Sequence, residues 1–274
     1  MRDRKLTDVC LHLGRYIRGI DPYRQRAMTI FTWPPHLANA EDAWAESWHD
    51  VKLTQGGHNP RPWETVPRES LLWEFNTPPR KPYIVGEHNF ERIFDKKNDD
   101  GDVRAGAWLG MMCGSCGFTY GATGLWYPNR DEKDVVDWAW GNTPWWNALD
   151  YAGARQMRIL REFFERFPWH DMQPISDRLV LSENVAPHYA RPSAVLLAGT
   201  TAVAYLPGCL PRTIEVQLAL EPGQYRTWYF NPRTGEARDQ QTRTVGPTGM
   251  ALPSRPDELD WVFVAEPTDT TAVN

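Results

Sequence analysis

The stretch Lys81-Pro82-Tyr83-Ile84-Val85-Gly86-Glu87-His88-Asn89 places an apolar run of strand length directly before a carboxylate. Tyr, Ile and Val favour a pleated, half-buried backbone, and a proline is tolerated at a strand's start. Outward from it the same texture recurs. Ala27 to Trp33 reads as a buried strand ending in Trp33-Pro34-Pro35. Val51 to Gln55 reads as another, ending in Gln55-Gly56-Gly57-His58, and Phe118-Thr119-Tyr120-Gly121 as a short fourth. Helical patterns lie between and around them. Leu6, Val9, Leu13, Ile17 and Ile20 recur every three or four positions. A short helix follows Pro67, another runs from Arg104 to about Met112, and Gly153 to Phe167 is amphipathic. Alternation of helix and strand is the pattern of a mainly parallel α/β sheet.

After Pro168-Trp169 the texture changes to short strands, among them Leu179 to Leu181, Ala202 to Leu206, Tyr225 to Phe230 and Trp261 to Ala265. Asn231-Pro232-Arg233-Thr234-Gly235 has hairpin chemistry, with glycine at the left-handed position. The expected fold is therefore α/β: a partial (β/α)8 TIM barrel, its last four strands only, over residues 1–172, then a small all-β sandwich over 173–267 and a flexible tail, 268–274. A closed eight-stranded barrel typically needs about 250 residues. Either the sheet is open or the barrel is incomplete, and an isolated half would leave apolar parallel strands uncovered.

With 274 residues, 41% of them hydrophobic, the chain can bury a sizeable core. A net charge of −5 without a long basic run argues against nucleic acid and anionic membrane as partners. No stretch approaches the roughly 20 apolar residues of a membrane span, and Met1 to Asp8 lacks the apolar segment of a secretory signal. Cys113-Gly-Ser-Cys116 has redox or zinc spacing, but no second pair or histidine cluster completes a site, and the surrounding run is apolar. Buried thiols, with no metal and no cofactor, are expected.

In a (β/α) barrel the active site lies at the carboxyl ends of the strands, so polar residues that end apolar strands are the informative ones. Glu87 is the sharpest. An unpaired charge near a core is costly, and a glutamate here suits attack on an anomeric carbon or proton transfer; a structural ion pair with Arg92 or Arg104 is the competing reading. Gln55 and His58 could hydrogen-bond sugar hydroxyls or orient Glu87, or Gly56-Gly57 could simply mark a tight turn with His58 at the surface. His88, at the same strand end as Glu87, is counted with Gln55 and His58 as a substrate-binding candidate. Trp33, Tyr120 and Trp126 could form a stacking platform for a sugar or fill the core. Trp138, Trp140, Trp145 and Trp146 crowd one loop. No second carboxylate ends a strand as Glu87 does.

At these residues the chain resembles the apiosidase-like glycoside hydrolases. The matching segments are Gln55-Gly56-Gly57-His58, Lys81 to Glu87 with Phe90-Glu91, Gly117 to Gly121 with Trp126, Gly153 to Met157 with Pro168-Trp169, and Trp228 to Gly235. The resemblance implies a TIM-barrel catalytic domain followed by a β-sandwich named for collagen binding, a carbohydrate substrate, and Glu87 as the strand-seven nucleophile. It also implies a second carboxylate after strand four, in a segment like Trp-x-Leu-Gly-Gly-Asp/Glu that does not occur here. The expectation is thus a fragment whose missing amino-terminal half, or another chain, completes the barrel. The family's usual export implies a periplasmic or secreted protein. The alternative is a non-catalytic carbohydrate-binding or adhesion protein.

Overall fold

The computed structural model describes residues 4–23, 26–32, 40–58, 68–93, 98–131, 141, 143–185, 191–197 and 199–268. The chain divides into two compact units, Met1–Met111 with Ser115–Asp150, and Met112–Gly114 with Tyr151–Asn274.

In the first unit the order is α1 (Arg4–Ile20), β1 (Phe31–Thr32), α2 (Ala40–Trp44), β2 (Lys52–Gly57), α3 (Arg68–Asn76), β3 (Tyr83–His88), α4 (Asp100–Met112, which ends in the other unit) and α5 (Trp145–Ala148). Strands β1, β2 and β3 pair side by side in that order, all parallel. The expected fourth strand is reduced to parallel bridges, Val85 with Phe118 and Glu91 with Ala122. Val85 nevertheless donates to Gly117 O and accepts from Thr119 N, so the ladder continues for one step. Helix α4 starts four residues before the sequence pattern suggests. Asp99 and Asp102 cap it reciprocally, each carboxylate accepting from the other's backbone N–H.

The two faces of the sheet differ. Lys52 and Thr54 point toward α3: Thr54 Oγ1 donates to Glu74, and Lys52 Nζ donates 2.7 Å bonds to the Glu74 and Thr77 carbonyls at the helix's end. Tyr83 and Val85 are buried on the same side, where the Tyr83 hydroxyl lies 3.4 Å from the Gly110 carbonyl of α4. Leu53, Gln55, Ile84 and Glu87 alternate to the opposite side and are only partly covered. Helix α1 is likewise two-sided. Gly14 lies against the Trp48 indole, while Val9, Leu13, Tyr16, Ile17 and Ile20 are exposed.

The second unit begins with α6 (Ala152–Phe164), whose Phe163 ring meets Phe230 at 4.7 Å between centroids. Strands β4 (Gln173–Pro174), β5 (Leu179–Leu181), β6 (Ser193–Leu197), β7 (Thr201–Leu206), β8 (Val216–Leu218), β9 (Gly223–Phe230), β10 (Ala237–Val245), β11 (Met250–Ala251) and β12 (Trp261–Pro267) follow. They form an antiparallel sheet in the order β10-β9-β12-β7-β6-β4 and another in the order β11-β8-β5. Ala204, Tyr229, Trp261 and Phe263 of the larger sheet share a core with Leu218 and Met250 of the smaller. The turn from β9 to β10 is closed by the Gly235 N–H, which donates to Asn231 O at 2.8 Å, with Gly235 at φ +82°.

Candidate active site

The β2–β3 pairing carries two irregularities that decide where the polar side chains go. Thr54 pairs with Val85 but Gln55 pairs with Glu87, which leaves Gly86 as an extra residue in β3. Gln55 then pairs with Glu87 and Gly57 with His88, leaving Gly56 extra in β2. A bulge inserts one residue and turns the side chains beyond it. Strict alternation from Tyr83 and Val85 would aim Glu87 at α4. The bulge sends Glu87 to the opposite face with Gln55, and His88 takes the helix-facing place instead.

There Glu87 Oε1 accepts two hydrogen bonds, 2.9 Å from Gln55 Nε2 and 2.7 Å from His58 Nε2. The side chains of Glu87 and His58 are 19% and 11% exposed, so the pair is sheltered yet reachable. Burial depresses the His58 pKa below its ordinary value, and the Glu87 carboxylate only partly offsets this. The imidazole is therefore neutral at pH 7 and donates its Nε2 proton to Glu87. Both partners of Oε1 are neutral donors. Arg104, the ion-pair partner weighed from sequence, instead binds Asp100 at 3.1 Å.

Aromatic rings continue from this pair. His58 lies 4.3 Å from the Phe90 centroid, and Phe90 lies 5.6 Å from Trp126, which is 57% exposed. Tyr120 donates its hydroxyl to the buried Glu91 at 2.8 Å. Gly121 has no side chain because a Cβ there would lie inside the Phe90 ring. After His88 the chain turns through Asn89 at φ 32°, whose N–H bonds Gly57 O at 2.9 Å.

Gln55, His58 and Glu87 are thus brought together, and Tyr120 and Trp126 belong to the same loop cluster. His88, expected from sequence to meet a sugar, does not face the site. Its ring is buried between Gly56 and Gly106, either of which would collide with it if given a Cβ, and burial drives its pKa down to about 3. Trp33, Trp138 and Trp140 lie outside the described residues. Residue-type reasoning missed the ring contact of Phe90 and the bond from Glu91 to Tyr120; the signal available was that both follow Glu87 within four positions. Among the described residues no group of three His, Cys, Asp or Glu is placed to hold a metal ion. Burial raises the pKa of the Cys116 thiol, which disfavours a reactive thiolate. No helix of the described residues is long and apolar enough to cross a membrane.

These features define a mixed α/β protein with a carboxylate-centred site at the carboxyl ends of parallel strands. The chain belongs to the apiosidase-like family: the model of that family's catalytic domain matches residues 2–171. A solved structure of a glycoside hydrolase family 5 protein from Bacteroides vulgatus is 20% identical. It aligns over 98% of this chain and 61% of its own, with a TM-score of 0.74. A second, described as a glycoside hydrolase, is also 20% identical and aligns over 93% of this chain and 60% of its own, with a TM-score of 0.67. At that identity the likeness speaks to fold. The chain spans about three-fifths of the length of each of these structures. Comparison with curated protein sequences gives no match.

Proposed function

We propose that this chain is the carboxyl-terminal part of a glycoside hydrolase in which Glu87 attacks the anomeric carbon. The observation that carries the reading is the pair of neutral donors on Glu87 Oε1, set on the open face of the sheet by the Gly86 bulge. In the proposed step a Glu87 carboxylate oxygen forms a bond to the anomeric carbon while the glycosidic C–O bond breaks. The leaving oxygen takes its proton from a second carboxyl group, and water later releases the sugar with that group acting as base. Gln55 and His58 hold the carboxylate in one orientation. A retaining reaction of this kind asks for a carboxyl separation of about 5–5.5 Å.

The second carboxylate is assigned to upstream polypeptide, in the same reading frame or a separate chain. The parallel strands are read as the last part of a (β/α)8 barrel and the second unit as a β-sandwich. Support comes from the exposed apolar stripe of α1, the short edge strand β1, and the contrast between a fully buried helix-facing side and a half-covered opposite side. The substrate class is a plant or microbial polysaccharide.

The test is hydrolysis by the completed enzyme, this chain joined to its upstream half. Glu87→Gln is expected to reduce kcat by about four orders of magnitude or more while folding is retained, as loss of a covalent nucleophile requires. An active Glu87→Gln enzyme removes the assignment. Glycan binding without turnover in the wild type would instead favour a carbohydrate-binding protein.

A further inference from the structure

The row of rings that starts at His58 does not stop at Trp126. Residues 122–126 form a tight turn, with the Leu125 and Trp126 N–H groups both donating to Ala122 O and Gly124 at φ +89°. This turn is fastened to the segment that carries α5. Gly124 packs on the Thr143 and Pro144 carbonyls and the Ala148 methyl. Asn129 donates its amide to Gly141 O and Thr143 O at 3.2 and 3.4 Å, and Trp145 N–H donates to Asn129 O at 3.0 Å. Both segments are therefore held in fixed register, and each presents indole to solvent. Trp145 and Trp146 are 42% and 47% exposed, and their rings stand 5.8 Å apart at 77° to one another.

From this arrangement we infer a second sugar-binding site, a corner formed by Trp145 and Trp146 that holds an extended glycan some units away from the sugar at Glu87. The inference rests on the reading of Glu87 as a glycosidase carboxylate and names the substrate as a chain of sugars rather than a small glycoside. The two rings meet edge to face, a favourable aromatic pair that fixes their angle and leaves indole face open to solvent. They can meet one pyranose on two sides, its C–H face against one indole plane and its edge against the other. Asn147, exposed on the same short helix, supplies the amide that a sugar hydroxyl needs. The backbone pairing through Asn129 links the corner to the turn bearing Trp126, and the contact of Trp126 with Phe90 links it in turn to His58 and Glu87.

Affinity electrophoresis of the 274-residue chain, in gels containing arabinan, galactan, xylan, xyloglucan or rhamnogalacturonan, tests this directly. Retardation is expected in at least one gel. The Trp145→Ala/Trp146→Ala variant should bind that polysaccharide roughly tenfold more weakly or worse, since each lost aromatic contact contributes about 0.5–1.5 kcal/mol. Both rings are exposed, so thermal unfolding should be unchanged. Glu87→Gln should keep the retardation, which separates this proposal from the assignment of the nucleophile. The inference is overturned by absence of retardation in every gel, by retardation that survives loss of both indoles, or by gel filtration showing that the two substitutions only abolish self-association.

Discussion

Glu87 Oε1 accepts one hydrogen bond from an amide and one from an imidazole, and the imidazole is the more informative partner. Burial lowers the His58 pKa, while the bond and charge of Glu87 raise it. Removal of that anion should therefore lower the His58 pKa further. In an NMR titration of the imidazole, Glu87→Gln is expected to move the midpoint downward from its wild-type position; an upward move would mean that His58 is not bonded to Glu87. The same small set of residues shows what a sequence can disclose at this scale. Gln55, His58 and Glu87 are visible because each is polar where an apolar strand stops. His88 has the same signature and the opposite orientation. The one-residue insertions at Gly56 and Gly86 change which face each side chain takes, and a bulge leaves no residue-type signal beyond a glycine.

At the scale of elements, the glycines that look like turn markers are packing devices. Gly56 of β2 and Gly106 of α4 contact opposite sides of the His88 ring, so the strand-to-helix spacing around β3 is set by an imidazole held between two residues without Cβ atoms. Gly56→Ala and Gly106→Ala should each destabilise by about 1–3 kcal/mol, the range for overfilling a tight interior. Urea unfolding measures this; a loss below about 0.5 kcal/mol at both positions would mean that the ring moves aside freely. Most strands were legible because buried strands are apolar or alternate. Strand β10 was not: Ala-Arg-Asp-Gln-Gln-Thr-Arg-Thr-Val is an exposed edge strand whose pairing to β9 rests on backbone bonds, and a polar edge resists adding further strands. The fourth parallel strand failed in the other direction. Phe118 to Gly121 has strand composition, yet Ser115 and the Gly117 carbonyl tie its start into a turn, so only Phe118 bridges Val85. The stripe on α1 leads to a further expectation. Leu13→Gln with Tyr16→Gln should change the stability of this chain by no more than about 0.5 kcal/mol each, as exposed positions do. If the stripe packs on the upstream barrel half, the same pair should abolish recovery of a complex with that half in a pull-down.

Across the molecule the change from parallel strands with helices to antiparallel strands was readable from sequence. The family match runs to residue 171, while the first compact unit ends at Asp150 and Phe163 of α6 packs on Phe230 within the second. Stability as a function of pH is the property that sums over these cores. His88, held at a pKa of about 3, and His49, held at about 4, are both depressed by burial from the ordinary value near 6.5. Below pH 6.5 the unfolded chain binds protons at these positions that the folded chain refuses, so stability falls as acid is added, until the folded pKa of each is passed. Glu74 works against them. Burial raises its pKa to about 7, so between about 4.5 and 7 the folded state keeps a proton that the unfolded state releases, and acidification through that window favours folding. Asp102, whose pKa burial raises to about 6, acts with Glu74, while His58, also depressed by burial, acts with the other two histidines. Three groups against two leave a net loss of stability from pH 6.5 to pH 4.5, read in urea midpoints. Two variants separate the contributions. His88→Gln should flatten the acid slope by about 1.4 kcal/mol per pH unit, the free energy of one refused proton. Glu74→Gln should steepen the decline, because it removes the opposing uptake. A flatter slope in Glu74→Gln would show that the carboxyl group is ionised in the folded protein. The buried Thr54–Glu74 bond between β2 and α3 would then run to a carboxylate rather than to a neutral acid.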